Sequence, residues 1–138
     1  MWYLRDYDEI TYDYYPFPCI EINLDLGIET LYGIMSKVIS KGSLFCYHDS
    51  EFSIFLTTLH DNQTNITINI YEGEKILAKD NHFLAQIKIK IPPMPSGKPQ
   101  IEVKFIYDYD DDYMIFVVIE HLSGINTEIK TNNSLSLH

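Results

Sequence analysis

An alternation of apolar and polar side chains with a period of two residues is the feature that most restricts how this chain can fold. It runs through residues 20–28, 65–70, 86–91 and 101–107. Because successive side chains of a strand point to opposite faces, this period predicts strands with one buried face. No segment shows a helical period longer than about two turns. The sequence therefore predicts an all-β fold.

Turn-forming residues separate these segments. Tyr32 and Gly33 interrupt the first pair of strands, and the run of Pro92, Pro93, Pro95 and Pro99 predicts a rigid loop that cannot supply a regular ladder of N–H donors. About eight short strands at such spacing favour an antiparallel β-sandwich in which both sheets contribute an inward face.

The chain of 138 residues predicts one folded domain with two terminal segments. We expect a divergent aromatic and acidic extension over residues 1–19, a sandwich over residues 20–131 and a frayed tail over residues 132–138. The aromatic residues of the extension are Trp2, Tyr3, Tyr7, Tyr12, Tyr14, Tyr15 and Phe17.

Charge excludes several classes of partner. Twenty acidic residues stand against ten basic ones, which gives a net charge of −10, whereas phosphate backbones and anionic membranes need clustered Lys and Arg. No apolar run approaches the roughly 18 residues that span a bilayer. Cys19 and Cys46 show neither metal-ligand spacing nor a disulfide framework, so we interpret them as small hydrophobic residues. We expect a cytoplasmic, reducing environment, no nucleic-acid partner and no membrane partner.

No catalytic constellation is visible in the sequence. The five histidines are scattered, and no glycine-rich phosphate loop is present. We therefore expect no enzymatic activity, no metal and no cofactor in this chain.

An acidic run raises the alternative of a calcium-binding β-module. Asp108, Asp110 and Asp112 occupy positions one, three and five of a calcium-loop pattern, but Tyr113 and Ile119 stand where that pattern has Gly and Glu. A solvated hairpin tip is the favoured interpretation.

Three segments carry a family resemblance. Residues 26–42 read LGIETLYGIMSKVISKG, residues 61–74 read DNQTNITINIYEGE, and residues 91–103 read IPPMPSGKPQIEV. In this order and at this spacing they resemble the peptide-binding β-domain of the heat shock protein 70 chaperones, over about residues 24–131. The resemblance implies binding of extended hydrophobic segments of unfolded polypeptides.

The resemblance also implies the residues of a peptide site. One peptide side chain would enter an apolar pocket, two side chains would close an arch over the peptide, and Gln63 would contact its backbone. The arch residues would be Leu31 and Leu59. The pocket residues would be Ile28, Thr30, Leu56, Ile66, Ile68 and Ile101. The alternative is that the aliphatic residues are simply sandwich core, which for Ile68 and Ile101 is equally favoured.

Several positions depart from the family pattern. Residues 19–23 read CIEIN where the family has an acidic, leucine-rich linker, and Ser96 replaces a basic residue that contacts the helical lid. We expect the ATPase domain, through which full-length members bind ATP, and the lid to be missing from this chain. Co-chaperones or a separate ATPase chain would be further partners, and self-association is also an expectation. The alternative function is a β-sandwich interaction or regulatory module that has lost the groove or fills it with its own N-terminal segment.

Overall fold

The computed structural model describes residues 19–46, 51–108 and 113–131. This part of the chain is nearly all β, as predicted. It contains ten strands and two single-turn 3-10 segments, Leu31–Gly33 and Ala78–Asp80. The strands are β1 (Cys19–Glu21), β2 (Leu26–Glu29), β3 (Met35–Ile39), β4 (Leu44–Cys46), β5 (Glu51–Leu56), β6 (Asn65–Glu72), β7 (His82–Lys90), β8 (Ile101–Asp108), β9 (Tyr113–Glu120) and β10 (Asn126–Lys130).

Eight of these strands form a sandwich of two four-stranded sheets. The first sheet has the order β3-β2-β6-β7 and the second sheet has the order β10-β9-β8-β5, while β1 and β4 form a separate two-stranded ladder. All the pairings are antiparallel. The predicted antiparallel sandwich is confirmed.

The period-two pattern accounts for the core. In β6, β8 and β9, buried residues alternate with more exposed ones along the whole strand. Ile68 and Ile70 of β6 belong to the same buried cluster as Val103 and Phe105 of β8. Phe105 packs edge-on against Phe116 of β9, with ring centroids 5.2 Å apart. One hydrophobic core therefore lies between the two sheets, where apolar burial stabilises the fold.

The alternation over residues 20–28 predicted one long strand, and this was wrong. The segment forms β1 and β2 with a bend at residues 23–24 between them. β1 pairs with β4, whereas β2 pairs with β3 and β6. The backbone N–H of Lys41 donates to the Asp25 carboxylate at 2.8 Å, which fixes the chain where it changes partner. Ile20, Ile22, Leu26 and Ile28 all belong to the core or pack against it, so the apolar period continues through the change of partner.

The interpretation of the cysteines as separate small hydrophobic residues was also wrong. Cys19 and Cys46 form a disulfide that joins β1 to β4. They are direct partners in the antiparallel register, although 27 positions separate them in sequence. Direct cross-strand partners bring their side chains close together, and this proximity is not visible in cysteine spacing. The chain has no free cysteine.

Some predictions fall on residues outside the described ranges. The first described strand begins at Cys19, and residues 1–18 and 132–138 lie outside, as do residues 109–112 of the acidic run. Within the ranges described, no group of three His, Cys, Asp or Glu side chains could hold a metal ion. Among the same residues, no helix is long and apolar enough to cross a bilayer.

Candidate peptide-binding groove

A cavity of about 460 Å³ opens at one end of the sandwich. Its lining comes from the end of β2 and the turn after it, from the end of β5 and the loop after it, from β6 and from the start of β8. All nine predicted site residues line this cavity, which we call the groove. They are Ile28, Thr30, Leu31, Leu56, Leu59, Gln63, Ile66, Ile68 and Ile101.

The floor of the groove is continuous with the core. Ile28, Ile66 and Ile68 come from the first sheet, and all three are buried. Leu56 and Ile101 come from the second sheet, where they are direct partners across β5 and β8. The floor residues therefore belong to the core and line the groove at once, so the two interpretations of Ile68 and Ile101 are compatible.

The rim carries exposed leucines. Leu31 is 55% exposed and Leu59 is 63% exposed, although both side chains are purely apolar. Both lie in connections between strands, where apolar side chains that face water are candidates for binding. An apolar ligand that enters between them would remove both from water.

The turn that carries Leu31 is held by local hydrogen bonds. The backbone N–H of Thr30 donates to the Ile34 carbonyl at 2.7 Å, and the Thr30 hydroxyl donates to the same carbonyl at 2.8 Å. Gly33 has a φ of 74°, a value that glycine adopts without strain. The predicted break at Tyr32 and Gly33 is confirmed, and it places Leu31 at the groove entrance.

The opposite loop is braced by the proline-rich segment of residues 92–99. The backbone N–H of Asn62 donates to the Met94 carbonyl at 2.8 Å, and the N–H of Ser96 donates to the Asp61 carboxylate at 2.8 Å. The Thr57 hydroxyl donates to the Pro99 carbonyl, also at 2.8 Å. The predicted rigid loop therefore supports the loop that carries Leu59.

Gln63 contributes a hydrogen-bond acceptor to the groove. Its Oε1 atom is buried and has no hydrogen-bond partner among the described residues, while its Nε2 donates to the Asn65 carbonyl at 3.4 Å. A buried acceptor without a partner costs about 1–3 kcal/mol. A ligand N–H that reached this oxygen would remove that cost.

The sequence did not identify four further residues of the groove wall, Glu29, Thr57, His60 and Thr67. Each is adjacent in sequence to a predicted residue, and each occupies an ordinary polar position of a strand or loop. Glu29 accepts hydrogen bonds from the Asn69 amide and the Tyr71 hydroxyl, both at 3.3 Å. Burial, together with the Glu29 carboxylate, raises the pKa of Tyr71. Polar alternation alone gives no signal for such a network.

The sequence of the chain also matches a known family. The family model described as Hsp70 protein matches residues 21–137, which include every residue of the groove. The chain belongs to the heat shock protein 70 family. Membership supports a chaperone-like function at the level of the family.

Two relatives give the extent of the likeness. The mitochondrial-type heat shock protein 70 of Encephalitozoon hellem is 41% identical over 93 residues, and the protein of the same name from Encephalitozoon cuniculi (strain GB-M1) shows the same identity over the same length. The match covers 67% of this chain but only 15% of each relative. Both names are mitochondrial-type and give no support to the cytoplasmic prediction, which stays a prediction.

Proposed function

We propose that this β-domain binds extended hydrophobic segments of unfolded polypeptides in the groove. The observation that carries the proposal is the convergence of all nine predicted residues on one cavity, with two exposed leucines at its rim. Leu31 and Leu59 belong to two separate connections and line the same apolar opening while exposed, an arrangement that a purely structural role does not require.

The chemistry of the groove fits an extended peptide with one aliphatic side chain inserted. The cavity has the size of a small-ligand site, which typically spans about 300–1,000 Å³. Burial of a Leu or Ile side chain on the isoleucine floor contributes about 1.5–3 kcal/mol. The Oε1 atom of Gln63 would accept a backbone N–H of the peptide, and Leu31 and Leu59 would pack over the peptide from either side.

Binding of this kind needs no covalent step. We therefore propose no catalytic residue and no cofactor for the described domain. In a complete chaperone cycle, ATP would act through an ATPase domain, in the same protein or in a separate chain, and co-chaperones would be further partners. If no lid covers the groove, we expect rapid dissociation of the peptide, because differences in affinity lie mainly in the off-rate.

Fluorescence anisotropy with a labelled leucine-rich heptapeptide tests the proposal. Leu59→Asp should weaken binding by at least about tenfold, because the carboxylate would lose hydration on contact with the apolar peptide. Leu59 is preferred to Ile66 because it is exposed, so that its substitution should leave the core intact. Leu122→Asp is the matched control, since Leu122 is also exposed but lies in the turn after β9.

Two outcomes would count against the proposal. A folded wild-type protein without saturable binding would overturn it, and equal loss of binding in Leu59→Asp and Leu122→Asp would show that the effect is not specific to the groove. The alternative of a self-occluded groove involves the extension of residues 1–19, of which residues 1–18 lie outside the described ranges. Binding that appears only after removal of those residues would favour that alternative.

A further inference from the structure

The disulfide between Cys19 and Cys46 fastens a short strand that lies outside both sheets of the sandwich. β1 has three residues, and within the described part of the chain it pairs with β4 alone, in a ladder of its own. The two cysteines form the pair at the end of this ladder that lies away from Ile22. The link therefore closes the open end of a short ladder.

The two cysteines are anchored differently. Cys46 is 9% exposed and follows Phe45, which is fully buried. The Phe45 ring packs against Phe52 and Tyr107, with ring centroids 5.1 and 6.1 Å away. Cys19 is half-buried and stands at the start of β1. Cleavage of the disulfide would therefore leave Cys46 in place beside the core and free the strand that carries Cys19.

The freed segment would end at Ile22. Ile22 is 1% exposed, its N–H donates to the Ser43 carbonyl at 2.9 Å, and its carbonyl accepts from the Gly42 N–H at 2.7 Å. Among the described residues before it, only Ile20 packs against the core, and Ile20 is half-buried. Release would therefore extend over β1 and stop where the chain enters the sandwich.

The ladder of β1 and β4 lies far from the groove. Phe45 packs against Tyr107 near the end of β8, whereas the groove includes Ile101 at the start of that strand. Tyr107 follows Ile101 by six residues, which corresponds to about 20 Å along a strand. Release of β1 would therefore leave the residues of the groove in place.

The environment predicted from the sequence gives such a link a redox role. Reducing compartments keep thiols reduced, and the disulfides that do form there are usually transient and redox-sensing. Thiol–disulfide exchange requires a sulfur atom that an incoming thiolate can reach. The half-buried Cys19 offers that access, whereas Cys46 is buried.

We propose that Cys19 Sγ is a thiol-exchange site, at which a dithiol reductant opens the disulfide and frees β1 from the sandwich. A thiolate of the reductant attacks Cys19 Sγ, the Sγ–Sγ bond breaks, and Cys46 leaves as a thiolate that takes up a proton. The second thiol of the reductant then displaces the Cys19 thiolate, which is protonated in turn, and closes the reductant's own disulfide. The redox state thereby sets whether residues 1–18 join the sandwich through a fixed strand or through a free one.

Two single variants test the choice of sulfur. Cys46→Ser leaves Cys19 as the one thiol of the chain, and Cys19→Ser leaves Cys46. In the folded proteins, a maleimide should modify Cys46→Ser at least about tenfold faster than Cys19→Ser, because access governs the reaction. In urea the two variants should react at the same rate, which controls for the reagent. Equal rates in the folded variants, or faster reaction of Cys19→Ser, would overturn the choice of Cys19.

Hydrogen exchange with and without dithiothreitol tests the release of β1. At short labelling times, reduction should speed exchange in the ladder of β1 and β4 at least about tenfold, while β6 and β8 stay protected. The double variant with Cys19→Ser and Cys46→Ser is the matched control. It should exchange like the reduced protein, whether or not dithiothreitol is present.

Each remaining outcome overturns the proposal. Unchanged exchange in the ladder after full reduction would mean that β1 stays in place, and an equal loss of protection in β6 and β8 would make the disulfide a link that holds the whole fold. A disulfide that millimolar reduced glutathione does not open in the folded protein would also be structural. None of these measurements involves a peptide, so failure of the groove as a peptide site would leave this inference untouched.

Discussion

Two connections between strands differ in how a buried polar side chain is hydrogen-bonded. They are the loop that carries Gln63 and the turn that follows Glu120. Gln63 Oε1 is buried without a partner among the described residues. Glu120 is fully buried, yet its carboxylate accepts from the N–H groups of Gln100, Leu122 and Ser123 at 2.9, 3.2 and 2.7 Å, and from the Ser123 hydroxyl at 2.7 Å. The Glu120 turn therefore pairs its buried carboxylate fully, whereas Gln63 has a buried oxygen that a ligand could reach.

The apolar residues of the two connections differ less in their exposure. Leu122 and Ile125 of the Glu120 turn are exposed, as Leu59 is. The difference is that Leu59 faces a cavity with a buried isoleucine floor, while neither Leu122 nor Ile125 lines the groove. An exposed leucine therefore indicates binding only where a cavity lies beside it.

The largest effect is expected from Glu120→Ala. The substitution leaves three backbone N–H groups and one hydroxyl without the buried carboxylate that accepts from them, so the free energy of unfolding should fall by about 3 kcal/mol. Urea denaturation measures it. Glu128→Ala, on an exposed position of β10, is the control and should change it by less than about 0.5 kcal/mol. Equal effects of the two substitutions would contradict a structural role for the Glu120 turn.

Reduction of the disulfide should have the next largest effect. Cys19 and Cys46 close a long segment of the chain, and loss of such a link lowers the free energy of unfolding by about 2–4 kcal/mol. Urea denaturation with and without dithiothreitol measures it, with Cys19→Ser as a control that dithiothreitol should not affect. Peptide affinity should not change in the folded reduced protein. A weaker affinity there would mean that β1 and the groove are coupled.

Acid should destabilise the protein through the Glu120 turn. Burial acts to raise the pKa of Glu120, but its hydrogen bonds, led by that from the Gln100 N–H, outweigh burial and lower the pKa from 4.5. The unfolded chain therefore takes up the proton first, so stability is present above about pH 4.5 and declines as the pH falls through the lowered pKa. Glu102, whose pKa the His121 and Ser53 hydrogen bonds lower, acts in the same direction.

Glu120→Gln separates the contribution of Glu120 to the acid sensitivity from the contribution of Glu102. The free energy of unfolding of this variant, measured between pH 3 and pH 6, roughly the range in which carboxylates titrate, should depend less steeply on pH than that of the wild-type protein. Identical slopes would assign the acid sensitivity to other carboxylates.

The smallest effect on stability is expected at Gln63. Gln63→Leu removes the unpaired oxygen but also the bond from Nε2 to the Asn65 carbonyl, so the two effects should nearly offset and leave the free energy of unfolding within about 0.5 kcal/mol of wild type. Affinity for the leucine-rich heptapeptide should fall by about fivefold, the value of one hydrogen bond. Loss of stability without loss of affinity would give Gln63 a structural role like that of Glu120 instead of a role in binding.

The sequence predicted the strands best where one face is buried along the whole length. β6 and β8 follow their alternation throughout, and β7 follows it from Ala85 onward, because each stays in one sheet with the same neighbours. The bend between Ile22 and Leu26 was missed because the alternation continues while the chain changes partner. The disulfide was missed for the same reason, since pairing of Cys19 with Cys46 depends on which strands become neighbours.

The groove was predicted through the family resemblance rather than through periodicity. Periodicity alone places Ile66, Ile68 and Ile101 in a core, which is also correct. The polar wall residues Glu29 and His60 were missed because nothing in the pattern distinguishes them from solvated positions. The peptide site itself stays a prediction until binding is measured.

The bracing of the β5–β6 loop by residues 92–99 has a consequence for how the groove could widen. Asn62, Ser96 and Thr57 tie that loop to a proline-rich segment whose φ angles are restricted. The Leu31 side is held by bonds within its own turn and by the bridge between Ile34 and Leu77. Because only the β5–β6 side is tied to a segment with restricted φ angles, we expect it to move less than the Leu31 side when the groove widens.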